Sequence, residues 1–291
     1  MLSPKLQAAK EILKRQRAEY AARPVKGKRE IIDGVNCIIH FPESDKKDLP
    51  LLFELHGGAW VAGDAALVDS LCETVSQNTP CVSVNINYTK LDEQPFPYPM
   101  EEALKVIEYF KNNARKYGVN PDRFVLCGQS AGAHIAAGAA ILAKEKGIKL
   151  AGQILVYPFL DCTGTLPNPI AENEKDKAAL KEIHNMFFGS LDVSAPYLSP
   201  AVAPDKELEG IADTDIIVCG IDPLREHGTA YYEKLKSAGI PVRLKDYPDA
   251  LHGFLEVNRE DFDSNNEAKN DRQAVFARDC EQYIIDIMRN I

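Results

Sequence analysis

The stretch Phe124-Val-Leu-Cys-Gly128-Gln-Ser130-Ala-Gly132-Ala-His-Ile-Ala-Ala137 decides the fold of this chain. Its apolar start predicts a buried strand, the Gly-x-Ser-x-Gly pattern predicts a sharp turn, and the small residues that follow predict a helix. Two glycines so close together let the backbone reverse where a side chain would clash. A serine at the tip of a turn between a strand and a helix is the context of a nucleophile elbow. The stretch therefore predicts that the hydroxyl of Ser130 points into a cleft.

Short β-branched runs alternate with helical segments through the rest of the 291 residues. This alternation predicts the α/β class, with a mostly parallel central sheet that helices cover on both faces. The middle of the chain breaks the rhythm, and with the N-terminal helix it predicts a helical cap over the sheet's C-terminal edge. We thus expect a single domain, residues 1–291, with a cap from about residues 1–25 and 161–210. The predicted strands besides the elbow strand are 29–41, 51–55, 81–87, 153–157, 215–219 and 241–247, and the predicted helices include 3–21, 65–78, 100–117, 173–188 and 271–291.

Composition excludes some classes of function. The formal net charge of −9 argues against a nucleic-acid partner, because nucleic-acid binding needs clustered Lys and Arg. No run of apolar residues approaches the roughly 20 needed for a membrane-spanning helix, and the charged N-terminus lacks the apolar core of a signal peptide. The C-terminal helix is amphipathic, and its apolar face is either core or a dimer surface, which leaves a homodimer open.

Seven cysteines without a C-x-x-C pair indicate reduced thiols, which favours the cytoplasm. Several of them lie in apolar runs, where a free thiol packs as a small hydrophobic group. The chain also has no H-x-x-x-H or similar ligand spacing, so we expect neither a metal nor an organic cofactor.

A serine hydroxyl becomes a good nucleophile only when a base takes its proton, and that base is normally a histidine oriented by an acid. In chains with this elbow the acid follows the serine and the histidine follows the acid. His252 comes after the predicted strand 241–247, and Asp222 follows the predicted strand 215–219. Ligands meet a parallel sheet at such strand ends. We therefore expect Ser130 as nucleophile, His252 as base and Asp222 as acid; a helix cap before Pro is a second role compatible with Asp222.

Other residues of the same types are weaker candidates. His134 lies one helical turn beyond the serine, and we expect it to be structural. His184 and His227 fall in predicted helical or cap segments, where a surface position is the simpler expectation. Asp213 and Asp215 precede their strand, so they lie at the wrong edge of the sheet for the acid.

Acyl transfer also needs hydrogen-bond donors for the oxyanion of the tetrahedral intermediate. Gly57 and Gly58 follow the predicted strand 51–55 and expose backbone N–H groups with no Cβ in the way. The N–H of Ala131, directly after the serine at a helix start, is a third donor. Two adjacent glycines alone would indicate only a turn, but their place after an early strand favours an oxyanion hole.

At this point the chain resembles a known family, the hormone-sensitive-lipase-like branch of the α/β-hydrolase esterases. The resemblance covers about residues 51–254 and implies the α/β-hydrolase fold, a carboxylesterase that prefers short acyl chains, and a helical cap built partly from the N-terminus. The motifs that carry it, in chain order, are His56-Gly-Gly-Ala-Trp60-Val-Ala-Gly63, Asn87-Tyr88, Gly128-Gln-Ser-Ala-Gly132, Tyr157-Pro158, Ser199-Pro200, Asp222-Pro-Leu-Arg225 and His252-Gly-Phe254.

The chain departs from the family pattern at two places. Ala59 stands where members usually have a third glycine, and Gln129 stands where the elbow usually carries an acid. The elbow with Ala133 and His134 is also similar to those of arylformamidases and some carbohydrate deacetylases. These departures leave the reaction type intact and leave the substrate open.

Four aromatics near the cleft loops or in the cap are candidates for the substrate pocket: Trp60, Tyr88, Phe159 and Phe188. Plain core packing is an equally good interpretation of each, and Trp60 is favoured because it adjoins the oxyanion loop. The hypothesis is a serine esterase that hydrolyses short-chain acyl esters such as acetates through an acyl-enzyme, with a small-molecule ester as its partner. An arylformamidase, amidase or carbohydrate deacetylase with the same triad is the alternative. A binding protein that has lost catalysis is disfavoured because all three triad positions are filled.

Overall fold

The computed structural model describes residues 3–168, 177–263 and 265–291. Its centre is an eight-stranded sheet in the order β1-β2-β4-β3-β5-β6-β7-β8. Strand β2 is antiparallel to both of its neighbours and all other pairs are parallel. The strands are β1 (Lys28–Ile32), β2 (Val35–His40), β3 (Leu49–Leu55), β4 (Val82–Asn87), β5 (Val119–Gln129), β6 (Gly152–Val156), β7 (Thr214–Ile221) and β8 (Val242–Leu251).

Helices cover both faces of this sheet. Phe124 and Leu126 of β5 belong to the core on one face, while Val125 and Cys127 belong to the core on the other. Both faces of β5 are thus packed into apolar cores, as is typical of a parallel sheet covered by helices. The helices are α1 (Pro4–Ala21), α2 (Asp69–Asn78), α3 (Tyr98–Asn112), α4 (Ala114–Tyr117), α5 (Ala131–Glu145), α6 (Lys177–Phe188), α7 (Asp205–Leu208), α8 (Arg225–Ser237), α9 (Phe254–Val257) and α10 (Asp271–Arg289).

The C-terminal helix α10 settles one open alternative. Its apolar residues, among them Cys280, Ile284 and Met288, are buried in the same core as α2. The amphipathic face of α10 is therefore core rather than a dimer surface. Among the helices of the described ranges, none is both long enough and apolar enough to cross a bilayer.

Two predicted helices are interrupted. The segment 65–78 begins with a 3₁₀ turn, Ala65–Leu67, and α2 starts afresh at Asp69 after a non-helical Val68. The carboxylate of Asp69 accepts the backbone N–H of Lys26 at 2.6 Å, a tertiary contact that local periodicity cannot reveal.

The segment 100–117 also divides, at a non-helical Asn113 between α3 and α4. For the predicted helix 173–188, residues 173–176 lie outside the described residues and the remainder is α6.

The N-terminal helix α1 is held by a buried ion pair. The guanidinium of Arg17 forms two 3.0 Å hydrogen bonds with the carboxylate of Asp92, and it also donates to the carbonyl oxygen of Val61. At the helix start, the backbone N–H of Ser3 donates to Glu182 of α6 at 2.9 Å. These contacts fix α1 against the segment that follows β4 and against α6.

The elbow between β5 and α5 is a place of close backbone contact. A Cβ on Gly128 would lie 2.5 Å from the backbone of Gly132, and a Cβ on Gly132 would lie 1.9 Å from the carbonyl oxygen of Leu55. Ser130 between them has φ of 54°, in the left-handed region that non-glycine residues rarely adopt. The predicted strand, turn and helix are confirmed. Gly128 is needed because α5 packs against its backbone, and Gly132 is needed because β3 does.

We expect Gly132→Ala to reduce the free energy of unfolding by about 3 kcal/mol or more, because the new methyl group must displace the end of β3. Gly152→Ala is the matched control, since a Cβ there meets no atom closer than 3.6 Å and should change stability by less than about 1 kcal/mol. Urea unfolding followed by circular dichroism measures both. Equal losses in the two variants would contradict this account of the elbow.

Candidate active site

Three side chains from separate loops meet at the C-terminal edge of the sheet. The Nε2 atom of His252 lies 2.9 Å from the Oγ of Ser130, and its Nδ1 lies 2.8 Å from Oδ2 of Asp222. The last paired residues of β7 and β8 are Ile221 and Leu251, so the next residue of each strand emerges beside the other. Strand pairing therefore brings the acid and the histidine together, and the elbow supplies the hydroxyl.

The register of β7 and β8 depends on an irregularity before that last pair. A Cβ on Gly220 would lie 1.8 Å from the carbonyl oxygen of Pro248, so the two backbones touch there. Gln273 of α10 holds the end of β8 by accepting the N–H of Leu251 and donating to the carbonyl of Asp249, both at 2.9 Å. These contacts extend β8 to residue 251, where the sequence predicted a loop after residue 247.

Asp222 uses its two carboxylate oxygens for two partners. Oδ1 accepts the backbone N–H of Leu224 at 2.8 Å, and Oδ2 accepts from His252. The side chain of Asp222 is fully buried, while that of His252 is 34% exposed. Asp222 thus orients the imidazole and stabilises the turn before α8. The expected helix cap is wrong, because α8 begins at Arg225 with Leu224 as its N-cap.

The electrostatics favour a readily protonated imidazole at His252. Burial alone lowers the pKa of His252, but the hydrogen bond and charge of Asp222, with the charge of Glu256, outweigh burial and raise the pKa above its usual value near 6.5. A carboxylate that accepts from Nδ1 leaves Nε2 free to accept the proton of the serine hydroxyl. The arrangement can move a proton from Ser130 Oγ to His252.

Three backbone N–H groups next to Ser130 or in the loop after β3 have no protein acceptor among the described residues: those of Gly57, Gly58 and Ala131. The Cβ position of Gly57 lies 3.7 Å from the Cβ of Ser130, which brings the loop after β3 against the serine. Gly58 has φ of 126°, and a Cβ there would lie 2.3 Å from the carbonyl oxygen of Ala62. Glycine is required at residue 58 on both counts.

The loop continues in the left-handed region at Ala59, with φ of 48°, and at Trp60, with φ of 63°. Each such non-glycine residue costs about 1–2 kcal/mol relative to an ordinary conformation. Ala59, at the position where the resemblance leads one to expect a third glycine, is therefore accommodated at a cost in backbone strain.

Sequence reasoning missed a second carboxyl group beside the site, Glu256 of α9. Its Oε2 accepts a hydrogen bond from the hydroxyl of Tyr157, and its Oε1 lies 3.2 Å from the Cβ position of Gly57. Burial raises the pKa of Glu256 above its usual value. The ring of Tyr157 packs edge-on against His252, with ring centroids 5.0 Å apart. The only signal in the sequence was the position of Glu256 one helical turn after His252.

The departure at Gln129 has a structural counterpart on the neighbouring strand. The amide Nε2 of Gln129 donates to Oε1 of Glu54 on β3 at 2.6 Å, and both side chains are fully buried. Burial raises the pKa of Glu54 to about 7. The acid usual at the elbow is thus absent from residue 129, and an acid on β3 contacts the same place.

The other three histidines considered for the base, His134, His184 and His227, have partners or positions away from Ser130, Asp222 and His252. His134 is buried and its Nε2 donates to the carbonyl of Leu198 at 2.8 Å, while His184 is exposed on α6. The expected surface position of His227 is wrong. Its ring is completely buried, accepts the N–H of Leu160 at Nδ1 and donates from Nε2 to the carbonyl of Pro167, because the chain after β6 folds over α8.

Three of the four predicted pocket aromatics, Trp60, Phe159 and Phe188, line a cavity of about 720 Å³ that α6 and residues 162–168 help to enclose. Tyr88 does not line this cavity: it is 1% exposed, stacks on the ring of His56 and donates its hydroxyl to the carbonyl of His56. These contacts agree with core packing, the other interpretation that its sequence position allows.

Comparisons with known proteins identify the family and the fold of this chain. A family model described as the alpha/beta hydrolase fold matches residues 52–256. Esterase LipI of Mycobacterium tuberculosis is 29% identical over 235 residues, which cover 77% of this chain and 73% of that protein. The versiconal hemiacetal acetate esterase of Dothistroma septosporum is 29% identical over 236 residues, covering 77% and 72%.

Among solved structures, a hyperthermophilic esterase from Pyrobaculum calidifontis superposes with a TM-score of 0.77 at 23% identity, over 99% of this chain and 98% of that one. This likeness concerns the fold, and together with the family model it confirms the predicted fold class.

We expect Ala59→Gly to raise the free energy of unfolding by roughly 0.5–1 kcal/mol, because glycine relieves the left-handed strain at a small cost in unfolded-chain entropy. Ala62→Gly, in the same loop but without a positive φ, is the control and should lower stability by a similar amount. Thermal and urea unfolding measure both changes. A loss of stability in Ala59→Gly equal to that of the control would refute the strain.

Proposed function

The chain belongs to the alpha/beta hydrolase fold family, in the hormone-sensitive-lipase-like carboxylesterase branch, and is an esterase, so we propose that Ser130, His252 and Asp222 are its catalytic triad. The observation that carries this proposal is the unbroken chain of hydrogen bonds from Ser130 Oγ through the imidazole to Asp222, at 2.9 and 2.8 Å. Both distances fall within the range in which a proton passes directly between heavy atoms.

In the proposed reaction, Ser130 Oγ attacks the ester carbonyl while His252 Nε2 takes the hydroxyl proton. The carbonyl oxygen becomes an oxyanion, and the imidazolium is stabilised by Asp222. Collapse of the tetrahedral intermediate breaks the bond to the alcohol, which leaves with the proton from His252. Water then attacks the acyl-enzyme, gives a proton to His252, and releases the carboxylic acid as Ser130 regains its hydrogen.

We assign the oxyanion hole to the N–H groups of Gly57, Gly58 and Ala131. The support is that these donors come from two elements that touch and that no protein acceptor of the described residues occupies them. Each such donor typically contributes about 2.7–4 kcal/mol to transition-state stabilisation. The neighbouring carboxyl of Glu256, with its raised pKa and its Tyr157 partner, opposes this field less than a free carboxylate would.

The proposed substrates are esters of short acyl groups such as acetate. A relative is named for an acetate ester, and the oxyanion loop of this chain ends at a packed aromatic cluster. The indole of Trp60 has ring contacts with Phe96, Phe159 and Phe187 at 4.9–6.1 Å between centroids, so an acyl group entering beside the loop would meet rigid aromatic walls. We further propose that α1 acts as a cap together with the described residues of 161–210, since α6 helps to enclose the cavity of about 720 Å³; residues 169–176 of the expected cap lie outside the described residues.

A cytoplasmic location is proposed on separate grounds. All seven cysteines are free thiols, and six of them are buried. Thiols persist without pairing in reducing compartments.

We expect Ser130→Ala to lower kcat on p-nitrophenyl acetate by about 10⁴-fold or more and to abolish labelling by a fluorophosphonate probe. The wild-type protein should hydrolyse the acetyl and butyryl esters faster than the octanoyl ester. Ser237→Ala, an exposed serine at the end of α8, is the control and should retain full activity. Hydrolysis that persists in Ser130→Ala would sink the assignment.

The second prediction concerns pH. The base must be neutral, so kcat/KM should fall as pH drops through the raised pKa of His252, with a midpoint above about 6.5. Asp222→Asn removes the charge that raises this pKa, so the acidic limb should move to lower pH while kcat falls by about 10³–10⁴-fold. A pH–rate series on both proteins measures the shift. An acidic limb that stays in place would show that Asp222 does not face the base.

A further inference from the structure

We propose that Lys90 and His56 are positioning residues for the oxyanion hole: the ammonium of Lys90 fixes the tautomer of His56, which in turn fixes the peptide unit that carries the Gly58 N–H. Neither side chain touches the reacting atoms. This inference rests on the proposed function, because it assigns a purpose to the loop that the proposed mechanism uses.

Lys90 lies in a site built for three donors. Its side chain is buried, 4% exposed, and no carboxylate of the described residues bonds to it. Its Nζ atom instead has three acceptors: Nε2 of His56 at 3.1 Å, Oδ1 of Asn87 at 3.1 Å and the carbonyl oxygen of Tyr88 at 2.6 Å. An ammonium has three N–H donors and no acceptor, so the three partners match it one for one.

The imidazole of His56 connects Lys90 to the peptide unit between Gly57 and Gly58. Its Nδ1 lies 2.6 Å from the carbonyl oxygen of Gly57, and a carbonyl oxygen can only accept, so Nδ1 must carry a hydrogen. Burial and the charge of Lys90 lower the pKa of His56 well below its usual value, so the ring is neutral and Nε2 has none. A donor at Lys90 therefore stabilises the one tautomer that can hold Gly57.

The carbonyl of Gly57 and the N–H of Gly58 belong to one peptide unit. That unit is trans, and in a trans peptide the two groups point in opposite directions. Fixing the carbonyl against the buried imidazole directs the Gly58 N–H away from the ring, to the side where it has no protein acceptor among the described residues.

Two further contacts hold Lys90, His56 and the Gly57 carbonyl in place. The ring of Tyr88 stacks on His56 with centroids 4.4 Å apart and lies 4.1 Å below Nζ of Lys90. Gly63 covers the other side, since a Cβ there would lie 2.5 Å from the Gly57 oxygen and 2.8 Å from Nδ1 of His56. Gly63 thus packs directly against the hydrogen bond between His56 and Gly57.

The test is a double-mutant cycle with Lys90→Met and His56→Asn. Met keeps the length of the buried stem but cannot donate, so we expect kcat on p-nitrophenyl acetate to fall about 10–100-fold with KM nearly unchanged, a part of the cost of losing a donor outright. The amide of an asparagine at residue 56 donates to the Gly57 oxygen without a tautomer to choose. In that background Lys90→Met should cost less than about threefold. Lys111→Met, an exposed lysine of α3, is the control and should change nothing.

Equal losses of kcat from Lys90→Met in both backgrounds would overturn the proposal, as would a kcat within about twofold of wild type. A readout that does not depend on activity covers the case of poor folding or of a failed esterase assignment. Long-range ¹H–¹⁵N spectra taken at about pH 6, below the pKa of about 7 to which burial lowers Lys90, should show hydrogen on Nδ1 of His56 alone. Mixed tautomers of His56 in Lys90→Met would support the proposal. A hydrogen on Nε2 of His56 in the wild type would refute it. So would an unchanged single tautomer in folded Lys90→Met.

Discussion

The contact on which the site depends is the approach of α5 to the end of β3. Gly132 comes so close to the carbonyl oxygens of Leu55 and His56 that no other residue fits. This approach does two things at once. It holds Ser130 in a strained turn at the tip of the elbow, and it brings the loop that follows β3 against the first turn of α5. The donors assigned to the oxyanion come from these two elements, so their separation is set by backbone contact rather than by adjustable side chains.

Buried polar groups around this contact reduce the stability of the fold. Their presence therefore calls for a reason other than stability. Arg17 with Asp92 joins α1 to the segment after β4, and Lys90 in that same segment reaches His56 below the oxyanion loop. A buried ion pair is rarely a net gain over apolar packing, and a buried lysine without a carboxylate is less favourable still. Both pairs involve the segment after β4. This segment therefore connects the N-terminal helix α1 to His56, at the start of the loop that follows β3.

The sequence sufficed for those features that are local or periodic. The elbow, the alternation of strands and helices, and the order of Ser130, Asp222 and His252 all follow from short patterns with a fixed place in a parallel sheet. It failed where a tertiary contact decides. The extension of β8 depends on Gln273, far along the chain, and the burial of His227 depends on the chain after β6 folding over α8. For Tyr88 the sequence left substrate contact and core packing equally open, and the stack of its ring on His56 is a tertiary contact that no local pattern reveals.

The strain at Ala59 offers a reason for the buried position of Lys90. A third glycine would let the oxyanion loop adopt its left-handed path without strain, whereas Ala59 and Trp60 must be held in that region by their surroundings. Strained backbone persists only where the surrounding structure over-determines it, and here the ring of Trp60 is packed among aromatics while His56 anchors the loop from below. A loop that is not intrinsically stable in its working shape needs an external clamp. The buried lysine, with all of its donors used and its imidazole partner bonded to the loop itself, has the geometry of that clamp.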